Sequence, residues 1–166
     1  MALPNDLLEQ AKHLAKRETK RPRQASLRRA VSTAYYALFH LLISQAALNW
    51  KRAAQRNRFA RFFEHGKMKS ASEKQQQEIK TYLKSNPVPS PELECANQLY
   101  SVAETFIRSQ QLRHRADYDN SKKWTRSEVL TLVGLVERAF RSWHGIRDEP
   151  AAQDFLLSLL GSPKGN

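Results

Sequence analysis

Apolar residues recur every three or four positions along most of the chain, which is the spacing of an α-helix with one buried face. Residues 4–18 have this pattern, and its clearest case is formed by Val129, Leu132, Val133, Val136, Phe140 and Trp143. Nowhere do apolar and polar residues alternate over the length of a strand. We therefore predict an all-α fold, an antiparallel bundle of about four to five main helices plus a short C-terminal helix.

The central segment, residues 30–50, contains no Asp, Glu, Lys or Arg. One apolar stripe consists of Leu27, Val31, Ala34, Leu38, Leu41, Gln45 and Leu48, and a second beside it of Tyr35, Phe39, Leu42 and Ala46. A helix that is apolar on two faces needs two partners, of which one is the domain's own core and the other could be a second subunit. The segment approaches membrane-spanning length. Polar residues such as Ser32, His40 and Asn49 are spread through it, however, and favour a buried central helix without a membrane.

Further helix boundaries follow from turn and capping residues. Residues 53–64 are predicted to form a short helix that ends at Gly66 as a C-terminal cap, and residues 70–84 a polar helix. After a linker at residues 85–91, Ser90 and Pro91 predict a helix start. Thr125 and Glu128 have the spacing of a capping box. A last helix is expected at residues 151–160, with a frayed tail at residues 162–166.

The 166 residues suit one domain. We assign residues 1–166 to a single helical domain, with its core at about 4–145 and a C-terminal helix and tail at 146–166. Asp6 and Glu9 interrupt the apolar run that a signal peptide requires, and Cys95 is the sole cysteine. These features predict a cytoplasmic protein.

The net charge of +12 is concentrated in the first part of the chain. Residues 1–70 hold fifteen of the 28 basic residues but only four of the 16 acidic ones. Two basic clusters flank the uncharged segment, and their candidate nucleic-acid-binding residues are Arg21, Arg23, Arg28, Arg29, Lys51, Arg52, Arg56, Arg58 and Arg61. Such a field attracts polyanions. The alternative is a solvated surface that only keeps the protein soluble.

Several classes of chemistry are disfavoured. The five histidines are scattered without the spacing of metal ligands, so no metal site is predicted. The glycines that a phosphate-binding loop or a serine-hydrolase elbow would need are absent. No cofactor is expected.

The remaining candidate for catalysis is the segment LRHRADYDNS, residues 112–121. A histidine supplies a proton donor or acceptor near neutral pH, and an arginine stabilises charge on a phosphate. We therefore name His114, Arg108 and Arg113 as candidate catalytic residues, with Asp117 orienting Arg113 and Tyr118 contacting a phosphate or His114. A polar helix end with an ordinary ion pair is the alternative. His65 and Lys67 form a second candidate, for which a polar helix terminus is again the alternative.

The sequences RRAVSTAYYALFHLLI (residues 28–43) and FIRSQQLRHRADYD (residues 106–119), in this order, resemble the HEPN superfamily of small prokaryotic α-helical proteins. That family's Arg-x-x-Ala-Asp-Tyr pattern is matched by Arg113, Ala116, Asp117 and Tyr118. The resemblance covers about residues 4–145. It implies a homodimer in which the polar motifs of two subunits face a shared cleft, and a possible antitoxin or other partner protein.

Many HEPN proteins are metal-independent ribonucleases of the toxin or defence type, whereas others bind nucleic acid or nucleotides without cutting. The catalytic signature, an arginine followed by a histidine, is met by Arg108 and His114 with five residues between them. Ala116 stands where active members commonly carry a tyrosine. We therefore expect a non-catalytic dimer that binds nucleic acid, RNA rather than DNA, or a nucleotide. A ribonuclease is the first alternative, and a dimeric protein-interaction scaffold is the second.

Overall fold

The structure, a computed structural model, describes residues 2–162 and confirms the all-α prediction. Its helices are α1 (Ala2–Ala15), α2 (Gln24–Leu48), α3 (Arg56–Ala60), α4 (His65–Ser85), α5 (Pro91–Tyr118), α6 (Arg126–Ile146) and α7 (Pro150–Ser158). A 3-10 turn, Ala53–Gln55, precedes α3. Residues 2–162 contain no strand. The predicted frayed tail lies outside the described residues from residue 163 onward.

Helix α2 is the centre of the bundle and contacts α1, α3, α5, α6 and α7. Both of its apolar stripes are buried apart from Gln45 and Leu48 at the C-terminal end of the first, as the fully enclosed side chains of Leu38, Tyr35 and Leu42 illustrate. By length and composition alone α2 could cross a membrane, but 72% of its most apolar window is buried inside the protein. Since helices of the same chain cover both stripes, the second stripe gives no support to a second subunit.

The start of α4 corrects the prediction for Gly66. Gly66 is the second residue of α4 rather than the cap of a preceding helix, and the predicted helix at residues 53–64 is reduced to the 3-10 turn and α3. Among residues 2–162 the glycine with positive φ is Gly161, at 105°, just after α7. The buried stripe of α4 begins at Met68 and continues through Ser72 and Ile79. Because Ser72 is polar, the apolar pattern did not show this early start.

The helix starts at α5 and α6 are confirmed in atomic detail. The Ser90 hydroxyl accepts a hydrogen bond of 3.1 Å from the Leu93 backbone N–H. The Thr125 hydroxyl accepts one of 3.2 Å from the Glu128 N–H, and the Glu128 carboxylate accepts one of 3.1 Å from the Thr125 N–H. These bonds satisfy backbone donors that a helix leaves unpaired in its first turn.

Three arginines bind the carbonyls at the C-terminal ends of other segments. Arg126 donates to the carbonyls of Ala15 and Glu18 at and after the end of α1. Arg56 donates to those of Leu48 and Trp50 at and after the end of α2. Arg28 donates to those of Ala116, Asp119 and Lys122 at and after the end of α5. A helix leaves its last carbonyls unpaired, and its dipole favours a cation there. The sequence predicted that Arg28 and Arg56 contact nucleic acid. In the structure their guanidinium groups donate hydrogen bonds to backbone carbonyls of the protein itself.

Helix α7 also belongs to the core. Ala152, Phe155, Leu156 and Leu159 are buried in the same apolar cluster as α2. Helix α7 begins one residue before the predicted start at residue 151 and ends two residues before the predicted end at residue 160. Helix α1 likewise begins before the predicted residue 4 and ends before the predicted residue 18.

Candidate functional site

Arg113 lies in the last turns of α5 against the middle of α2. Its guanidinium carbon is 5.2 Å from the centre of the Tyr35 ring and 5.8 Å from that of Tyr36. A cation over aromatic faces is attracted by their electron-rich surface. The side chain is 14% exposed, and its Nη1 is 3.4 Å from a carboxylate oxygen of Asp117. The predicted pairing of Arg113 with Asp117 is therefore present.

Asp117 is held from a second side by α2. The Ser32 hydroxyl donates to the other Asp117 carboxylate oxygen at 2.5 Å. Ser32 is itself buried. The carboxylate therefore bridges the two helices and fixes the edge of the guanidinium that faces it.

His65, the first residue of α4, packs into the same cluster. Its ring stacks on Phe39 with centroids 4.3 Å apart and planes 20° apart. Its Nδ1 is 2.6 Å from the hydroxyl of Tyr35. Burial lowers the pKa of His65, and the positive charge of Arg113 and the neighbouring His40 lower it further. His65 is therefore mostly neutral near pH 7.

Tyr35 is the enclosed centre of the cluster, with 0% exposure. Burial raises the pKa of its hydroxyl above its ordinary range, although the charge of Arg113 opposes this. The phenol is consequently protonated near neutral pH. It acts as a hydrogen-bond partner of His65 and not as a charged group.

Gln110 closes the cluster from α5. Its amide nitrogen donates to the His65 backbone carbonyl at 3.2 Å, while its Oε1 is buried without a partner. The Nε of Arg113 is buried and unpaired as well. Buried polar atoms are normally paired, so the cluster contains two exceptions to that rule.

The other predicted motif residues lie outside this cluster. His114 is exposed and its ring centre is 4.9 Å from that of Tyr118, which is 68% exposed. Arg108 is exposed too. Six helical residues of separation place it about 120° around α5 from His114, so the two do not converge within one chain. Lys67 pairs with Glu64 at 3.0 Å.

The predicted basic surface is divided by the fold. Arg28 is half-buried and Arg56 partly buried at helix ends, whereas the others are exposed: Arg21, Arg23, Arg29, Lys51, Arg52, Arg58 and Arg61. Arg29 also lines a groove of about 700 Å³ between α1 and α2, together with Arg17, Thr33, Tyr36 and His40. Tyr36 is shared by this groove and the Arg113 cluster, so the two lie side by side.

Within residues 2–162, no group of three or more His, Cys, Asp and Glu side chains is placed to hold a metal ion. The cluster itself offers a cation, an imidazole and hydroxyl groups. A cation with open donors beside a neutral imidazole can bind a phosphate.

Five residues of the cluster were missed from the sequence: Ser32, Tyr35, Tyr36, Phe39 and Gln110. Their apolar neighbours made α2 look like core alone. The consecutive tyrosines in the uncharged segment 30–50 were the available signal, since a buried tyrosine hydroxyl requires a partner.

Comparison with known proteins provides no relative: neither a protein-family model, nor a curated protein, nor a solved structure matches this chain.

Proposed function

We propose that this protein binds nucleic acid without cleaving it, and that Arg113 and His65 together hold a backbone phosphate. The observation that carries the proposal is the hydrogen bond between Tyr35 and His65 beside a fixed, partly open guanidinium. The preference for RNA over DNA rests on the resemblance to HEPN proteins.

Arg113 is prepared for an anion. The rings of Tyr35 and Tyr36 and the carboxylate of Asp117 fix its orientation, while its Nη2 has no partner among residues 2–162 and is not buried. A guanidinium fixed in advance loses little conformational entropy when it binds a phosphate, and its planar donors match phosphate oxygens.

The Tyr35 hydroxyl determines which nitrogen of His65 carries the proton. Tyr35 is fully buried, and His65 Nδ1 is its one hydrogen-bond partner within residues 2–162. Leaving the hydroxyl proton without an acceptor would cost about 1–3 kcal/mol. Tyr35 therefore donates to Nδ1, which places the single proton of the neutral imidazole on Nε2. Nε2 is not buried, so it presents a donor to solvent, and Arg113 is near enough for its charge to lower the pKa of His65.

Charge outside the cluster supports the proposal. The protein carries a net charge of +12, and the groove shared through Tyr36 adds Arg17 and Arg29. This field accelerates the approach of a polyanion and releases counterions when it binds.

Ribonuclease activity is the second candidate, favoured by the lowered pKa of His65 next to Arg113. A neutral imidazole at pH 7 is the form required of a general base. However, a base must offer a nitrogen without a proton, and the tautomer set by Tyr35 offers an N–H instead. Cleavage by His114 and Arg108 would need a second copy of the chain to bring the two side chains together.

Self-association and an antitoxin-like partner stay predictions, as does a scaffold function. Most of the two apolar stripes of α2 is covered by helices of the same chain, so they do not support the predicted dimer.

The test is fluorescence-anisotropy titration of labelled RNA and DNA oligonucleotides in EDTA at several salt concentrations. Arg113→Gln should weaken RNA binding by about 10- to 100-fold, the loss expected for hydrogen bonds to a charged group. Arg138→Gln, which removes an exposed arginine from α6, is the matched control and should stay within about twofold. Arg113→Lys keeps the charge but not the planar fork and should be intermediate.

Two outcomes would refute the proposal. One is that no oligonucleotide binds at low salt, and the other that Arg113→Gln and Arg138→Gln bind equally. Nitrogen-detected NMR of the imidazoles tests the tautomer separately. A proton on Nδ1 of His65, together with cleavage of RNA in EDTA, would favour the ribonuclease instead.

A further inference from the structure

A second surface lies between the end of α2 and the start of α4. Trp50 is 43% exposed and Phe62 is 62% exposed. The same segment presents four exposed basic residues, Lys51, Arg52, Arg58 and Arg61. We call these six residues the 50–62 surface. This surface therefore combines two large aromatic side chains that are open to solvent with four cations.

The indole of Trp50 is held in one orientation. It stacks on Phe59 with centroids 5.1 Å apart and planes 18° apart, and its Nε1 donates to the Gln55 side chain at 3.1 Å. Phe59 in turn meets Phe63 edge to face at 5.6 Å, and Phe63 is buried. Because Phe59 covers one face of the indole, the exposed area of Trp50 belongs to its other face and its edges.

Arg56 fixes the backbone underneath. Its Nε donates to the Trp50 carbonyl at 3.0 Å and its Nη2 to the Leu48 carbonyl at 3.3 Å. The turn after α2 is thus tied to α3. A rigid aromatic surface loses little conformational freedom when a flat ligand covers it.

The positive charges of the 50–62 surface indicate which kind of ligand can bind there. Residues 19–63 contain no Asp or Glu. A second copy of the chain docked through this surface would bring like charges together, which is costly. A polyanion with flat apolar groups fits both features, and single-stranded nucleic acid has phosphates to pair with arginines and bases to stack on aromatic rings.

We propose that the 50–62 surface is a platform on which unpaired bases stack on Trp50 and Phe62 while Arg58 and Arg61 hold the flanking phosphates. The proposal rests on the proposed nucleic-acid binding and adds a separate site to it. Phe62 is three residues before His65, so their Cα atoms are at most about 11 Å apart. One strand can therefore reach the platform and the Arg113 cluster together.

The experiment compares single-stranded and hairpin oligonucleotides of equal composition, as RNA and as DNA, with intrinsic fluorescence as a second readout. The other two tryptophans, Trp124 and Trp143, are only 4% and 0% exposed. Quenching by a bound strand therefore reports on Trp50. Phe62→Leu and Trp50→Leu keep an apolar side chain but remove the wide aromatic face.

Each leucine variant should weaken single-strand binding about tenfold, the loss of one stacked base, with the salt dependence unchanged. Arg58→Gln and Arg61→Gln should instead reduce the salt dependence. The matched control is Val88→Ala. Val88 is apolar, 74% exposed and lies in the linker after α4. Because α4 is 21 residues long and begins at His65, Val88 is about 30 Å from His65. It should bind like the parent.

Parent-like binding by both leucine variants, or tighter binding of hairpins than of single strands, would overturn the platform and leave the nucleic-acid proposal standing. If the parent protein bound no oligonucleotide, both proposals would fail. If the leucine variants instead retained binding but abolished concentration-dependent self-association, the surface would be a dimer contact and not a platform.

Discussion

Replacing Arg28 with methionine is predicted to destabilise the fold more than any other single change in the basic clusters. The Arg28 guanidinium donates to the carbonyls of Ala116, Asp119 and Lys122 at 2.9, 3.0 and 2.8 Å. It therefore closes the end of α5 on the flank of α2. Methionine keeps an unbranched apolar stem of similar thickness but supplies no donor, so the three carbonyls lose their partner.

The expected cost is about 2–3 kcal/mol. A hydrogen bond to a charged group contributes about 1.5–3 kcal/mol when buried. The three bonds share one half-buried guanidinium, and water can reach part of the site afterwards, so their contributions do not add. For a domain of this size, about 2–3 kcal/mol corresponds to a drop of about 5–10 °C in Tm.

Urea unfolding followed by circular dichroism measures the effect as a lower midpoint with an unchanged slope. The matched control is Arg29→Met, which removes the same charge from the next residue. Arg29 is exposed and makes no hydrogen bond or ion pair within residues 2–162. Its loss should change stability by less than about 0.5 kcal/mol. Equal stabilities of the two variants would refute the capping role of Arg28.

Three further outcomes are expected. Arg113→Met should raise the pKa of His65 in an NMR titration but leave it below its ordinary value, because burial, the larger cause, persists; an unchanged pKa would contradict the contact. The folded-state pKa of His65 is lowered relative to the unfolded chain, so its contribution to stability is complete above about pH 6.5 and is lost as the pH falls through the folded pKa. His65→Gln should flatten that part of the curve of urea midpoint against pH, and an equally steep curve would contradict it. Thr125→Ala should cost about 1 kcal/mol through loss of the capping box, whereas Ser127→Ala in the same first turn should cost little.

The fold was predictable because apolar periodicity and capping residues act locally. Val129 to Trp143 pack as their spacing indicates, and Ser90 and Thr125 begin helices where hydrogen-bond chemistry requires it. The failure at Gly66 has a tertiary cause. Phe63 and Met68 are buried on either side of His65, and this packing starts α4 at His65. The local sequence contains no signal against Gly66 as a helix end.

The candidate site was predictable only along one helix. The pairing of Arg113 with Asp117 and the contact of His114 with Tyr118 follow from helical spacing. Which helix faces them does not follow from that spacing. His65 was a candidate, but its contact with Tyr35, 30 residues earlier, depends on how α4 packs against α5 and so brings its first residue to α2. The helix-end role of Arg28 has the same origin, since its partners lie 88 to 94 residues away.

The proposed lack of cleavage follows from the same hydrogen bond that satisfies the core. Tyr35 on α2 is fully buried, so its hydroxyl needs an acceptor inside the protein, and in our proposal His65 Nδ1 supplies it. That arrangement removes the unprotonated nitrogen that a general base needs and gives the phosphate an additional donor. Binding and stability therefore favour the same tautomer, whereas catalysis would require the opposite one. A version of this cluster that cleaves RNA would need a different partner for the Tyr35 proton or a phenylalanine at that position.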